Sequence, residues 1–90
     1  MAVVRFTSHL STFFPGLRQV TVEASTVAEL VQSLDREYPG IASYLVEDHG
    51  GLRKHVNIFV DQMLIRDRKQ LSDALTSGSE VHILQALSGG

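Results

Sequence analysis

Residues 26–40 read TVAELVQSLDREYPG and predict the one long helix of the chain. Thr26 is a good N-cap residue, and Glu29 three residues later completes the sequence pattern of a capping box. Apolar residues then recur at spacings of three and four, so they share one face of a helix. The members of this stripe are Val27, Leu30, Val31, Leu34 and Tyr38. Pro39 and Gly40 end the pattern, and the apolar stripe needs one surface to cover.

Stretches with the two-residue period of strands lie on both sides of this helix. Residues 2–8 and 17–24 alternate apolar and polar side chains, and the segment 9–16 between them predicts a β-hairpin. The elements predicted after the helix are a helical turn at 41–45, a strand at 55–60, a tight turn at Asp61-Gln62, a short strand at 63–66, a helical turn at 71–75 and a last strand at 80–84. One helix packed on one face of one sheet is a two-layer α+β domain.

The composition is that of a globular domain. Hydrophobic residues make up 43% of the 90 residues and charged residues 20%, which argues against disorder and allows one domain. The chain has no cysteine, and this excludes disulfides, thiolate metal ligands and cysteine nucleophiles. The net charge of −2 gives no global signal for nucleic acid or for an anionic membrane.

Targeting signals are also missing from the pattern. No apolar run approaches the ~18 residues that a membrane span needs. The charge at Arg5 interrupts the amino-terminal segment too early for a signal peptide. We therefore expect a cytoplasmic protein with no membrane partner.

The polar residues form no motif of a catalytic site. No two histidines have the helical spacing of metal ligands, and no G-x-S-x-G sequence occurs. Gly50-Gly51 lacks the Lys and Ser/Thr of a phosphate-binding loop. We expect no metal site and no catalytic residue, and structural or solvent-facing roles for the histidines. The four are His9, His49, His55 and His82.

Five of the eight basic residues fall within 17 residues of sequence. They are Arg53, Lys54, Arg66, Arg68 and Lys69. A solvated face, a patch that docks a protein and a nucleic-acid site are the three interpretations. Asp61 and Asp67 dilute the positive charge, and no aromatic pattern typical of RNA-binding sheets is present. We therefore favour the solvated face and expect no nucleic-acid partner.

The chain ends in Ala86-Leu87-Ser88-Gly89-Gly90, and this ending has a specific chemical use. Glycine has no Cβ, so two glycines can thread a narrow channel and present an unhindered carboxylate. Such a carboxylate can attack the α-phosphorus of an ATP molecule that another protein holds. The acyl-adenylate that results is open to a sulfur or nitrogen nucleophile.

These features together resemble the β-grasp, ubiquitin-like proteins of the MoaD/ThiS family of sulfur carriers. The resemblance covers essentially the whole chain, with residues 1–84 as the β-grasp domain and residues 85–90 as a flexible arm. It rests on the helix end Tyr38-Pro39-Gly40 and on the strand Val56-Asn57-Ile58-Phe59-Val60. It rests most on the pattern L-x-x-A-L-x-x-G-x-x-V-x-I-L over residues 71–84 and on the Gly-Gly end.

The resemblance implies a chemistry for each residue of the arm. In that family an E1-like enzyme uses ATP to adenylate the terminal glycine, which becomes a thiocarboxylate and delivers sulfur to a biosynthetic enzyme. Gly90 would carry the sulfur and Gly89 would give clearance. The segment Ala86, Leu87 and Ser88 would complete the arm in the partner's channel. The chain would then be a protein co-substrate that binds no cofactor, and its partners would be the enzymes.

Within the family, residues 38–41 and 55–60 look closest to the CysO-type carriers of cysteine biosynthesis. The resemblance then implies a PLP-dependent cysteine synthase as sulfur acceptor and a JAMM-type metalloprotease that trims the product. Relatives often have proline early in the arm, where this chain has Gln85, and a small residue before Gly-Gly, here Ser88.

Three alternatives stay open at this point. The chain could be the small subunit of molybdopterin synthase, docked on the large subunit through an apolar patch near Phe59 and Leu84, with Arg66 beside it. It could be the sulfur carrier of the thiamine pathway, another branch of cofactor biosynthesis. It could also be a ubiquitin-like modifier or interaction module, whose glycine end would form isopeptide bonds or have no role.

Overall fold

The computed structural model of the protein describes residues 1–6, 14 and 16–85. In chain order the described elements are β1 (Ala2–Phe6), β2 (Gln19–Val22), α1 (Val27–Glu37), α2 (Ala42–Leu45), β3 (Val56–Val60), β4 (Met63–Leu64) and β5 (Glu80–Gln85). The predicted long helix and the helical turn after it are both present. β3 begins one residue later than predicted, so His55 lies in the turn before it, and β5 continues one residue further.

The five described strands form one mixed sheet in the order β2-β1-β5-β3-β4. β1 and β2 pair antiparallel as the predicted hairpin, whereas β1 and β5 run parallel. β5 therefore lies at the centre of the sheet, between β1 and β3. The strand order and the single main helix confirm the two-layer α+β architecture.

The core lies between α1 and one face of the sheet. Val27, Leu30 and Leu34 of α1 are completely buried, and Tyr38 at its C-cap is half-buried, so the predicted stripe is confirmed. The sheet residues that are buried against this layer are Ala2, Val4, Val56, Ile58, Val81 and Ile83. Each of the larger side chains contributes about 1.5–3 kcal/mol through removal of its apolar surface from water.

The start of α1 is held by its own cap and by a distant segment. The Thr26 hydroxyl accepts a hydrogen bond from the Glu29 N–H, at 3.2 Å, as the capping box predicts. The Glu29 carboxylate reaches back to the N–H of Ser25, at 2.9 Å, which is one residue before the cap. The carbonyls of Asp73 and Leu71 accept the N–H groups of residues 27 and 28.

The helical turn predicted at residues 71–75 is wrong. Leu71 has φ +56°, and Ala74 forms an isolated bridge with Thr26. The carbonyls at this segment bond to α1 rather than to residues further along their own chain. Leu71 and Leu75 are nevertheless buried, so their apolar spacing reports core packing of an irregular segment.

The strand predicted at residues 63–66 is shorter in the structure. β4 ends at Leu64, because the N–H groups of Arg66 and Asp67 donate to the Asp73 carboxylate rather than to β3. The tight turn before β4 is confirmed, since Asp61 and Gln62 have φ +50° and +72°. Positive φ at both central residues is the geometry of a two-residue hairpin turn that follows the twist of the strands.

Candidate functional site

The face of the sheet away from α1 carries a small apolar surface. Phe59 on β3 lies directly opposite Leu64 on β4, and Leu84 on β5 lies diagonally from Phe59. The exposed fraction is 48% for Leu64 and 39% for Leu84, and Phe59 is half-buried. We call these three residues the apolar patch. The strand register thus brings together Phe59 and Leu84, which the sequence singled out.

The structure adds one residue to that surface and separates another. Leu64 was not among the residues singled out, although the alternation of the short predicted strand 63–66 could have placed it beside Phe59. Arg66 is exposed but lies in the loop after β4, where its N–H donates to the Asp73 carboxylate at 3.0 Å. It therefore stands outside the paired rows of the sheet.

Charged and titratable groups continue the row of the patch across the sheet. His82 on β5 has Phe59 as its register partner on one side and Arg5 of β1 on the other. The Arg5 guanidinium approaches the Glu80 carboxylate to 3.7 Å, and both side chains are about half exposed. An exposed pair of this kind contributes little to stability, so its effect is on the charge that the face presents.

The basic residues do not act as one patch. The Arg68 guanidinium donates to the carbonyls of Arg53 and Val56, at 2.8 and 2.9 Å, and to the Asn57 side chain at 3.2 Å. Arg53 pairs with the Glu47 carboxylate and donates to the Ser43 carbonyl at 2.9 Å. These two arginines fasten the segment between α2 and β3, which is a structural role.

The loop between β4 and β5 is organised by two carboxylates. Asp67 accepts hydrogen bonds from the N–H groups of Gln70, Lys69 and Ser72 and from the Ser72 hydroxyl. The Gln70 N–H, together with the Ser72 hydroxyl, lowers the pKa of Asp67 from 3.8 to about 2. Asp73 accepts from the main chain on the other side of the loop. Every acceptor here is used within the loop.

Over the described ranges 1–6, 14 and 16–85, no group of three His, Asp or Glu side chains could hold a metal ion. His49 accepts a hydrogen bond from the Gly51 N–H on its Nδ1 atom, at 3.2 Å, and so completes a turn. His82 differs because it lies on the open face of the sheet. Among the same residues, no helix is long and apolar enough to span a bilayer.

The arm begins where the central strand ends. β5 ends at Gln85, and the residues predicted to thread a partner's channel and carry sulfur lie outside the described residues: Ala86, Leu87, Ser88, Gly89 and Gly90. Leu84, the patch residue on β5, is two residues before the arm starts at residue 86. A protein that grips the arm is therefore brought beside the apolar patch.

Fold and site together define a β-grasp, ubiquitin-like protein with a glycine-ended arm on its central strand. The family model for ThiS matches residues 4–90, and the chain belongs to the ThiS family. It is similar to the sulfur carrier protein CysO of Mycobacterium tuberculosis, with 31% identity over 77 residues and 83% of each chain covered. It is also similar to small archaeal modifier protein 3 of Haloferax volcanii, with 30% identity over 87 residues, covering 87% of this chain and 94% of that one.

A solved structure agrees with this assignment. In the crystal structure of the Amycolatopsis orientalis BexX/CysO complex, the matched chain has a TM-score of 0.87 and 26% identity, and both chains are covered completely. The predicted fold class and family are thus confirmed. The relatives are small carriers, and one of them has been crystallised with another protein.

Proposed function

We propose that this chain is a sulfur carrier whose carboxyl-terminal Gly90 is adenylated by an E1-like enzyme, converted to a thiocarboxylate, and used to donate sulfur in biosynthesis. The observation that carries the proposal is the Gly89-Gly90 end on an arm that leaves the central strand of a ThiS-family β-grasp domain. The likeness to CysO supports cysteine as the product that receives the sulfur.

The proposed chemistry needs only the terminal carboxylate from this chain. Its oxygen attacks the α-phosphorus of ATP, and pyrophosphate leaves with the electrons of the broken phosphoanhydride bond. A sulfur nucleophile, supplied with the activating enzyme, then attacks the carbonyl carbon and expels AMP. The product is the Gly90 thiocarboxylate, and the sulfur is carried on the chain end because the chain has no thiol.

The proposed partners supply the catalytic groups. ATP is bound by the E1-like enzyme, and in cysteine formation an activated serine derivative is held by a PLP-dependent synthase. The thiocarboxylate sulfur bonds to the β-carbon of that substrate, and the new cysteine is released from the carrier by a JAMM-type metalloprotease. We place these reactions in the cytoplasm, where ATP is available.

We further propose that these enzymes dock on the apolar patch. Phe59, Leu64 and Leu84 form an exposed apolar surface on an otherwise polar face, and such surfaces are typical of interaction sites. The patch lies beside the start of the arm, so one partner can contact both. Arg66, exposed after β4, would lie at the rim of this contact.

One alternative has an observation of its own. The 30% identity to small archaeal modifier protein 3 favours a ubiquitin-like modifier, whose adenylated glycine would be attacked by a lysine amine rather than by sulfur. Both functions need the same activation step. They differ in the nucleophile, so the products separate them.

Intact mass is the test of the proposal. The full chain is incubated with ATP, a sulfide source and an E1-like adenylating enzyme, and its mass is compared with that of a chain lacking Gly90. We expect a shift that corresponds to replacement of one oxygen by sulfur, mapped to Gly90, in the full chain alone. A folded chain that never shifts would contradict the sulfur carrier, and amide linkage to another protein's lysine would instead support the modifier.

A further inference from the structure

His82 occupies the middle of the proposed docking face. Its cross-strand partners are Phe59 of the apolar patch and Arg5, and its neighbours on the same face of β5 are Glu80 and Leu84. Its side chain is partly exposed, as expected for a residue that faces solvent in the free chain. A partner that covers the apolar patch from β4 to β5 also covers this imidazole.

The charges around His82 favour its neutral form under a partner. Arg5 faces it from β1, and Glu80 on its own strand is paired with that guanidinium at 3.7 Å. From β3 it is faced by Phe59, with Asn57 nearby, and the charged Arg68 at that side is bound to the Asn57 side chain. No carboxylate among the described residues of these rows is left to balance a cationic imidazole that loses its water.

Histidine is the side chain whose ordinary pKa, near 6.5, puts its charge change close to neutral pH. A complex that buries a neutral imidazole binds more weakly as pH falls, because the free protein takes up a proton that must be released on binding. Full coupling at the ordinary value gives about fourfold weaker binding at about pH 6 than at about pH 8.

We infer that His82 makes docking on the open face pH-dependent, so that partners bind the carrier more tightly in its neutral-imidazole form. This inference rests on the proposed function, since it assumes that the apolar patch is the docking surface. It assigns His82 a role in controlling the carrier–enzyme contact, and no role in the sulfur chemistry.

The test measures affinity of the full chain for the E1-like adenylating enzyme by calorimetry at about pH 8 and about pH 6. The comparison is between the natural chain and His82→Gln, which keeps a polar side chain but cannot titrate in this range. The enzyme's own titration is common to both and cancels. We expect about fourfold weakening at the lower pH beyond that shown by His82→Gln.

Two further variants sharpen the result. His55→Gln makes the same chemical change in the turn before β3, outside the paired rows of the face, and should keep the natural pH dependence. His82→Leu replaces His82→Gln if the latter does not fold, which a thermal melt shows. Parallel pH profiles for the natural chain and the His82 variants would overturn the inference, and so would stronger binding at the lower pH that depends on His82.

Absence of binding at both pH values would overturn the docking face, and this inference with it. The intact-mass experiment tells that failure apart from failure of the proposed function. A chain that acquires sulfur at Gly90 but shows no contact through the open face remains a carrier. A chain that is never adenylated does not.

Discussion

At the scale of single residues, Asp67 shows how one carboxylate holds a loop. It accepts three main-chain N–H groups and one hydroxyl, all within five residues of itself. These bonds favour the charged carboxylate, and they lower its pKa from 3.8 to about 2. The loop carries Leu71 into the core, so the charge state of Asp67 affects how that segment is fixed.

Asp67→Asn should therefore be less stable than the natural chain at neutral pH, by an amount that decreases in acid. The folded pKa lies below the ordinary one, so the stabilisation is fully present above about pH 4 and is lost as pH falls toward about pH 2. Denaturant unfolding of both chains across this range measures the difference. The other carboxylates titrate in both chains and cancel.

Glu37→Gln is the matched control for this measurement, since Glu37 is an exposed carboxylate at the end of α1. Its stability difference from the natural chain should change much less with pH. A difference for Asp67→Asn that stays constant down to about pH 2 would show that its hydrogen bonds do not favour the ionised form.

At the scale of elements, the sequence predicted what local rules decide. The cap at Thr26, the apolar stripe of α1 and its end at Pro39 all follow from neighbours within four residues. The segment 71–75 was mistaken for a helical turn because spacing of two leucines cannot reveal partners elsewhere in the chain. Its carbonyls bond to the first N–H groups of α1, which is a tertiary contact.

The cap itself gives a prediction at this scale. Thr26→Ala removes the hydroxyl that accepts the Glu29 N–H, and loss of such a cap costs about 1 kcal/mol of unfolding free energy. Thr26→Ser keeps the hydroxyl and should retain most of the stability. Urea unfolding of the three chains checks this. Equal losses in both variants would mean that the threonine methyl, not the hydrogen bond, supports the start of α1.

At the scale of the whole molecule, the candidate site is made by strand order. Alternation places Phe59, His82 and Leu84 away from the core, and this could be read from the sequence. Their closeness could not, because it depends on parallel pairing of the first and last strands and on insertion of β5 between β1 and β3. The same arrangement fixes the arm at the centre of the sheet, next to the patch.

The final prediction joins that arrangement to function. Leu84→Ser removes an apolar side chain that is 39% exposed, so the fold should lose little stability while a docked partner loses an apolar contact. We expect about a tenfold rise in the KM of the E1-like enzyme for this variant, which corresponds to a loss of ~1.4 kcal/mol of binding free energy. The rate at saturating carrier should change little, because Gly90 and its approach to ATP are untouched.

Met63→Ser is the matched control for surface apolarity. Met63 is 65% exposed and lies opposite Val60, so strand alternation places it outside the row of Phe59 and Leu64. Its KM should match that of the natural chain, and thermal melts should show all three chains folded. If Leu84→Ser and Met63→Ser raise KM equally, enzymes sense general surface apolarity; if neither does, they hold the carrier by its arm alone, and the patch beside the central strand has another use.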